Sequence, residues 1–262
     1  MNYFFTTLAI NEPYFKNSIK LFCDIHNTTE KSFFNITTTQ KDIDNLKLSN
    51  EELFENLKIN FPRIHLSTLE SFDFKIDCPL DSDGYGFTFN VNLKSLSLKS
   101  CFKLGITFDY IFFIDGDWSL HTGFSEGKIF DLIQNMESRG IDFAFERPAR
   151  IGDDRTKPEN SFYRQKIHDY DISEIPIWDE AHVCNEQFLV FKNSWKLKVF
   201  IQKWEQMMWY SIANKIRNYA EGFEIGICAL ESKMTWDWFM FPILRDCFKF
   251  HPKYSDTIHI RY

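Results

Sequence analysis

The chemistry of this chain is concentrated in two carboxylates one residue apart, Asp115 and Asp117, with Gly116 between them. They end the run Ile111-Phe112-Phe113-Ile114-Asp115-Gly116-Asp117. A run of bulky apolar residues that stops at two acids reads as a strand buried on both faces of a sheet. The acids then stand at the strand's carboxyl end, where open α/β sheets bind their ligands. Carboxylates this close repel each other unless positive charge lies between them. A divalent cation relieves that repulsion, and hard oxygen ligands suit Mg²⁺ or Mn²⁺. The competing reading is a plain Asp-Gly turn after a strand. Against it, the acids follow an uninterrupted apolar strand and lead into another helical pattern.

The elements that must position this pair alternate along the first 145 residues. Tyr3 to Ile10 reads as a strand, and Asn11-Glu12-Pro13 turns the chain into a helix with Pro in its first turn. Phe15, Ile19, Phe22 and His26 share one face of that helix. Phe33 to Thr38 is a second strand. Ser49-Asn50-Glu51-Glu52 has the spacing of a capping box opening a helix to about residue 59. Arg63 to Leu66 is a third strand, and a helix from about Phe89 to Leu104 precedes the acidic strand. Ile129, Leu132, Ile133 and Met136 mark the next helix, Gly140 its left-handed C-terminal residue, and Ile141 to Phe145 a further strand. This alternation predicts a mostly parallel central sheet with right-handed crossovers, flanked by helices.

The segment from Arg147 to Glu180 then holds prolines and charges with little periodicity, the composition of a lid or binding segment. Strand-like sequence returns from His182 to Lys192. Leu197, Phe200, Ile201, Trp204, Met208 and Ile212 form a helical stripe, Glu221 to Glu231 a second helix, and Cys247 to Phe250 a last strand. No repeat or low-complexity tract divides the chain, so a single domain over residues 1–262 is expected.

Composition bounds the function. The chain has 262 residues, 29 of them Phe, and 18% aromatic residues, ample core material for one α/β domain. Its net charge of -7, with no Lys/Arg block, argues against a nucleic-acid partner held through phosphates. No window approaches roughly 18 uninterrupted apolar residues, so no transmembrane segment is expected. The start lacks the basic and apolar regions of a signal peptide. The six scattered cysteines read as reduced core thiols, and the expected location is cytoplasmic. Composition sets no oligomeric state.

Taken in order, four segments resemble the glycosyltransferases of the GT-A (Rossmann-like) fold: Thr6-Thr7-Leu8-Ala9-Ile10-Asn11, Phe113-Ile114-Asp115-Gly116-Asp117, Asn185-Glu186-Gln187-Phe188, and Glu221-Gly222-Phe223-Glu224. The resemblance implies a nucleotide-sugar-binding half over residues 1–120 and an acceptor-binding half over residues 121–262. It implies that Asp117 ligates Mn²⁺ or Mg²⁺ directly, while Asp115 meets the ribose or reaches the metal through water. A histidine near the C-terminus would complete the metal site; His251 follows the last strand directly and is preferred to His259. The family's longer His-x-x-Gly-x-Lys-Pro-Trp form is absent. The nucleotide would lie over Thr6, Ala9 and Asn11, with Tyr85 or Phe87 stacking on it and Lys94 or Lys99 near its diphosphate. Glu224, and after it Glu186, is the carboxylate expected at the reacting sugar. Trp118, Trp178, Trp236 and Trp238 offer faces for a sugar ring.

The implied activity is a metal-dependent transfer of a sugar from a nucleotide diphosphate, UDP-sugars favoured, to a glycan or other acceptor hydroxyl. The structural alternatives are concrete. Glu221 and Glu224 would equally complement a helix dipole, the lysines would equally face solvent, and the tryptophans would equally fill core. Other function classes also fit parts of the pattern. A haloacid-dehalogenase-type phosphatase carries a strand followed by Asp-x-Asp, and a nucleotidyltransferase uses paired acids. A non-enzymatic carbohydrate-binding module is commonly a β sandwich.

Overall fold

The structure is a computed structural model that describes residues 1–72, 93–121, 123–145, 184, 187–213, 221–237 and 247–250. The expected alternation is present. The elements run β1 (Tyr3–Leu8), α1 (Glu12–His26), β2 (Ser32–Thr38), α2 (Gln40–Ser49), α3 (Glu51–Asn60), β3 (Ile64–Thr68) and a 3₁₀ turn (Leu69–Phe72). They continue with α4 (Lys94–Lys103), β4 (Tyr110–Ile114), β5 (Trp118–Leu120), α5 (Glu126–Ser138) and β6 (Phe143–Phe145). Last come β7 (Phe188–Lys192), α6 (Trp195–Ala213), α7 (Glu221–Glu231), β8 (Trp236–Asp237) and β9 (Phe248–Phe250).

Seven strands form one sheet in the order β3-β2-β1-β4-β7-β6-β8. The first four are parallel, and β7 runs against both its neighbours, β4 and β6. Strand order reverses between β1 and β4, so these two carboxyl ends border the crevice in which such sheets take ligands. The last strand, β9, does not join this sheet. It pairs antiparallel with β5 in a separate two-stranded ribbon, Trp118 opposite Phe250.

Both faces of the sheet are apolar, as the unbroken hydrophobic runs require. On one face Tyr3, Phe5, Phe34, Phe112 and Val190 meet α1, α2, α3 and α5. On the other Phe4, Ile111, Phe113, Leu189 and Phe191 meet α4, α6 and α7. Parallel register sets Phe34, Phe5 and Phe112 side by side across three strands, with stacked rings 5.5 and 4.8 Å apart. Phe143 stacks on Phe191 at 4.6 Å across the antiparallel pair in the same way. Such cross-strand pairs are the unit of sheet stability.

Helix α4 is seated differently. Thr6 on β1 donates to the Ser97 carbonyl at 3.0 Å, and the Thr37 and Ser100 hydroxyls lie 2.7 Å apart. Asn35 on β2 donates to Thr37 at 3.0 Å and accepts from Ser67 on β3 at 2.6 Å. A buried seam of hydroxyls and one amide therefore holds α4 under β1 and β2, beside the apolar contacts of Leu98 and Cys101.

Helix α2 is absent from the sequence expectation. Its N-cap is Thr39, whose hydroxyl accepts from the Asp42 N–H at 3.1 Å and donates to the Asp42 carboxylate at 2.7 Å. The expected box at Ser49 resolves into the end of α2 at Ser49 and an Asn50 cap on α3, which accepts from Leu53.

At the far end of the sheet Asp142 ties three elements. Lys196 of α6 reaches it at 2.6 Å, and Thr235 donates to it from its N–H at 3.0 Å and its hydroxyl at 2.9 Å. Burial pushes the carboxyl pKa up, but these hydrogen bonds and the lysine charge outweigh it and hold it below its usual value. A depressed carboxylate stabilises the fold above its unfolded-state pKa, and that contribution is lost as pH falls through the lower folded-state value. In urea unfolding, the stability difference between the wild type and Asp142→Asn should therefore be full at pH 6 and shrink as pH drops below about 4. A difference that stays constant down to pH 3 would leave Asp142 no electrostatic part in stability.

Candidate active site

The acidic turn is built by its neighbours on three sides. Tyr110–Ile114 is buried throughout, and the ladder continues one residue further, with the Asp115 N–H donating to the Gln187 carbonyl at 2.9 Å. The Trp118 N–H then returns to the Asp115 carbonyl at 3.2 Å and closes a four-residue turn. Helix α1 forms the floor. A Cβ placed on Gly116 would lie 2.7 Å from the Ser18 hydroxyl, with the Tyr14 and Leu8 carbonyls just beyond. Glycine is needed here for close approach, because its backbone is not in the left-handed region.

Lys94, in the first turn of α4, is a cation at the acids. Its ammonium lies 2.8 Å from one Asp115 oxygen and 3.1 Å from the other, and its side chain is only 9% exposed. It also sits 5.6 Å from the centre of the Phe113 ring. Lys99, the other lysine expected near the diphosphate, instead pairs with Glu205 of α6 at 2.6 Å. Five residues along a helix turn the side chain by about 140°, so two lysines at this spacing face different neighbours. Asp117 is partly buried, with one carboxylate oxygen inaccessible to solvent.

Across the crevice, the end of β1 holds Asn11 in a strained backbone conformation, φ 82° and ψ 145°. Residues other than glycine rarely adopt it, at a cost of about 1–3 kcal/mol. Asp42 holds it there, accepting from the Asn11 N–H at 3.2 Å while bonded to its own Thr39 cap. Thr6 and Ala9 are fully buried, and the Thr6 hydroxyl is engaged with α4. Asn11 thus stands partly buried just beyond the end of β1, while Thr6 braces α4 behind it.

Glu224 is fully buried in the first turns of α7. Full burial excludes a solvated charge at the helix end. Burial, and after it the Glu224 carboxylate, push the Cys228 thiol well above its usual range, so that thiol stays protonated. Backbone hydrogen bonds tie the start of α7 and the acidic turn to one short stretch of chain: Cys184 N–H to the Gly222 carbonyl at 3.0 Å, and Asp115 N–H to the Gln187 carbonyl. Only two residues separate Cys184 from Gln187, a span of at most about 11 Å. Glu186 lies between them and, like Tyr85, Phe87, His251, His259, Trp178 and Trp238, lies outside the described residues. Trp118 is a core residue, and Trp236 packs at a tilt against Phe145 in the opposite core cluster.

The donor set tests the expected cation. Two hard carboxylates on one turn suit Mg²⁺ or Mn²⁺, which take the rest of their shell from phosphate oxygens, water and further ligands. No cluster of three His, Cys, Asp or Glu stands among the described residues, so a third protein ligand would come from elsewhere in the chain. Among the described residues no helix is long and apolar enough to cross a membrane.

A mostly parallel seven-stranded sheet with flanking helices matches the GT-A fold. The mannosyltransferase Ktr4p from S. cerevisiae shares it, with a TM-score of 0.57 over 94% of this chain and 70% of that one, at 9% identity. Core-mannan synthase A (CmsA/Ktr4) from Aspergillus fumigatus, in a Mn/GDP form, superposes with a TM-score of 0.48 at 8% identity, covering 95% and 74% of the two chains. The galactosyltransferase LgtC, bound to donor and acceptor sugar analogs, superposes at 0.43 and 11% identity, covering 90% and 73%. No protein-family model and no curated protein sequence matches the chain.

The packing at Gly116 gives a direct test. Gly116→Ala should lower stability by about 1–3 kcal/mol, because the added methyl must displace the Ser18 hydroxyl. Ser18→Ala in the same chain removes the obstructing atom and should recover most of the loss in thermal unfolding. Equal melting temperatures for the single and double variants would show that the approach of α1 to the turn is not tight.

Proposed function

We propose that the protein is a metal-dependent glycosyltransferase that moves a hexose-type sugar from a nucleotide diphosphate, UDP-sugars favoured, to the hydroxyl of a glycan or other acceptor. The observation that carries this reading is the pairing of Asp115 with Lys94 at the switch point, beside a second carboxylate on the same turn. Oppositely charged side chains poised at a crevice suit a ligand that carries both a diphosphate and a cation. The shared fold with a mannosyltransferase supports the same class. Residues 1–120 would form the donor half and residues 121–262 the acceptor half.

Asp117 and Asp115 would hold the cation, with His251 as third ligand. Support for His251 is its place in the chain: it follows Phe250, which pairs with Trp118, the neighbour of Asp117. A divalent ion bound there supplies Lewis-acid stabilisation of the charge that develops on the leaving diphosphate. The chain's own groups do the rest. Lys94 restrains Asp115 and keeps a positive charge beside the leaving group. Asn11 would border the nucleotide just beyond β1, and Tyr85 or Phe87 would be the residue that stacks on it. Glu224, withdrawn from solvent, serves the reacting sugar, with Glu186 next in line. In an inverting reaction the carboxylate takes the proton of the acceptor hydroxyl; in a retaining one it supports an oxocarbenium-like centre.

Thermal unfolding with UDP, GDP, CMP and their sugars, with and without Mn²⁺, should single out one donor that raises the melting temperature only with the metal. Asp117→Ala should abolish both that shift and turnover. Near-normal transfer by this variant would remove the cation from the reading. Glu224→Gln should lower kcat by 10²-fold or more while leaving donor affinity close to wild type; an unchanged rate would move the role to Glu186.

A further inference from the structure

Helix α1 does more than bury an apolar face against the sheet. Its Asn17 is buried, with 6% exposure, where the helix meets the acidic turn. The amide nitrogen of Asn17 donates to two carbonyls of that turn, Gly116 at 2.5 Å and Trp118 at 2.9 Å. The first belongs to the peptide bond leading into Asp117, and the second lies one residue beyond it. The two contacts bracket Asp117. Together with the Trp118 to Asp115 and Asp115 to Gln187 backbone bonds, they leave the turn little freedom to rotate.

We infer that Asn17 is the positioning residue of the acidic turn: it fixes the peptide planes around Asp117 and thereby sets the angle and separation at which the two carboxylates meet a cation. This rests on reading Asp115 and Asp117 as a cation site, and extends it from the ligands to the group that aims them. The residue type fits the task. A primary amide carries two N–H donors on one nitrogen, and here both face carbonyl acceptors. Serine at this position would supply one donor, and leucine none in nearly the same volume. Aspartate has the same shape but turns acceptors toward acceptors. Groups that hold metal ligands in place typically change metal affinity 10–100-fold when removed.

The test is titration of Mn²⁺ alone, with the free ion read by electron paramagnetic resonance, on wild type, Asn17→Leu, Asn17→Asp and Asp117→Ala. Circular dichroism and thermal unfolding check the fold of each. Both Asn17 variants are expected to stay folded, to bind Mn²⁺ about 10–100-fold more weakly, and to regain wild-type kcat when Mn²⁺ is saturating. Asn17→Asp separates aim from charge. An added negative charge alone tightens cation binding, whereas a turn that has lost its aim loosens it. Where Asn17→Leu fails to fold, Asn17→Ser keeps one donor and should show an intermediate loss. Folded Asn17 variants with wild-type affinity, beside an Asp117→Ala that no longer binds, would overturn the inference and leave the cation site standing. Equal Mn²⁺ binding by wild type and Asp117→Ala would overturn the cation site and the inference with it.

Discussion

Two negative charges on one tight turn are the constraint around which the carboxyl edge of the sheet is organised. At a few ångströms, like charges repel strongly in any medium less polar than water. Among the described residues, a nearly buried ammonium, Lys94, is set against Asp115. That pairing fixes much else. The first turn of α4 must come to the sheet's edge, which sets where the helix crosses beneath β1 and β2. The turn must also sit tight on α1, which crowds any side chain at 116 against the Ser18 hydroxyl and brings Asn17 within reach of its carbonyls. The opposite wall carries its own strain at Asn11, held by Asp42 from a third element. The rim of the crevice is thus built from high-cost features, and the phenylalanine-rich interior behind it supplies the stability that permits them.

Much of this was legible in the sequence, for identifiable reasons. The Tyr110–Ile114 strand is exposed to view by composition alone, because a strand buried on both faces has no polar interruptions. The α5 and α6 stripes appear where their periodicity places them: Ile129, Leu132, Ile133 and Met136 on one, Leu197, Phe200, Ile201, Trp204 and Met208 on the other. What escaped was decided by partners distant in sequence. Helix α2 has few apolar positions, and its signal, Thr39 three residues before Asp42, was a usable cap that went unread. The β5–β9 ribbon is three residues long on each side, too short for any period to register. The choice between Lys94 and Lys99 turned on helix phase. Burial separates Glu224 from an ordinary helix-end acid, and burial is a property of the assembled core. Asn17 carried no local signal, since an asparagine in a helix betrays nothing until the turn it serves arrives 99 residues later.

The competing function classes fare differently against this architecture. A carbohydrate-binding β sandwich is incompatible with a parallel sheet wrapped by helices on both faces. The expected free thiols are observed wherever the cysteines are described, and the Cys101 thiol is pushed up to about 12 by burial, partly offset by Thr6. Such a group is chemically quiet. Among the described residues, the groups at this edge are oxygen acids and a lysine.

The hydroxyl seam beneath α4 has a thermal consequence. Apolar contacts weaken on cooling, because their driving force carries a large heat-capacity change. Burial of polar area changes heat capacity in the opposite sense. A joint made of Thr6, Thr37, Ser97 and Ser100 with Asn35 therefore keeps its grip in the cold, while the phenylalanine-packed joints around α1 and α6 slacken. The element that presents Lys94 is thus held partly by contacts that cooling does not weaken, so its polar joint should help keep the charge balance at the crevice under chilling.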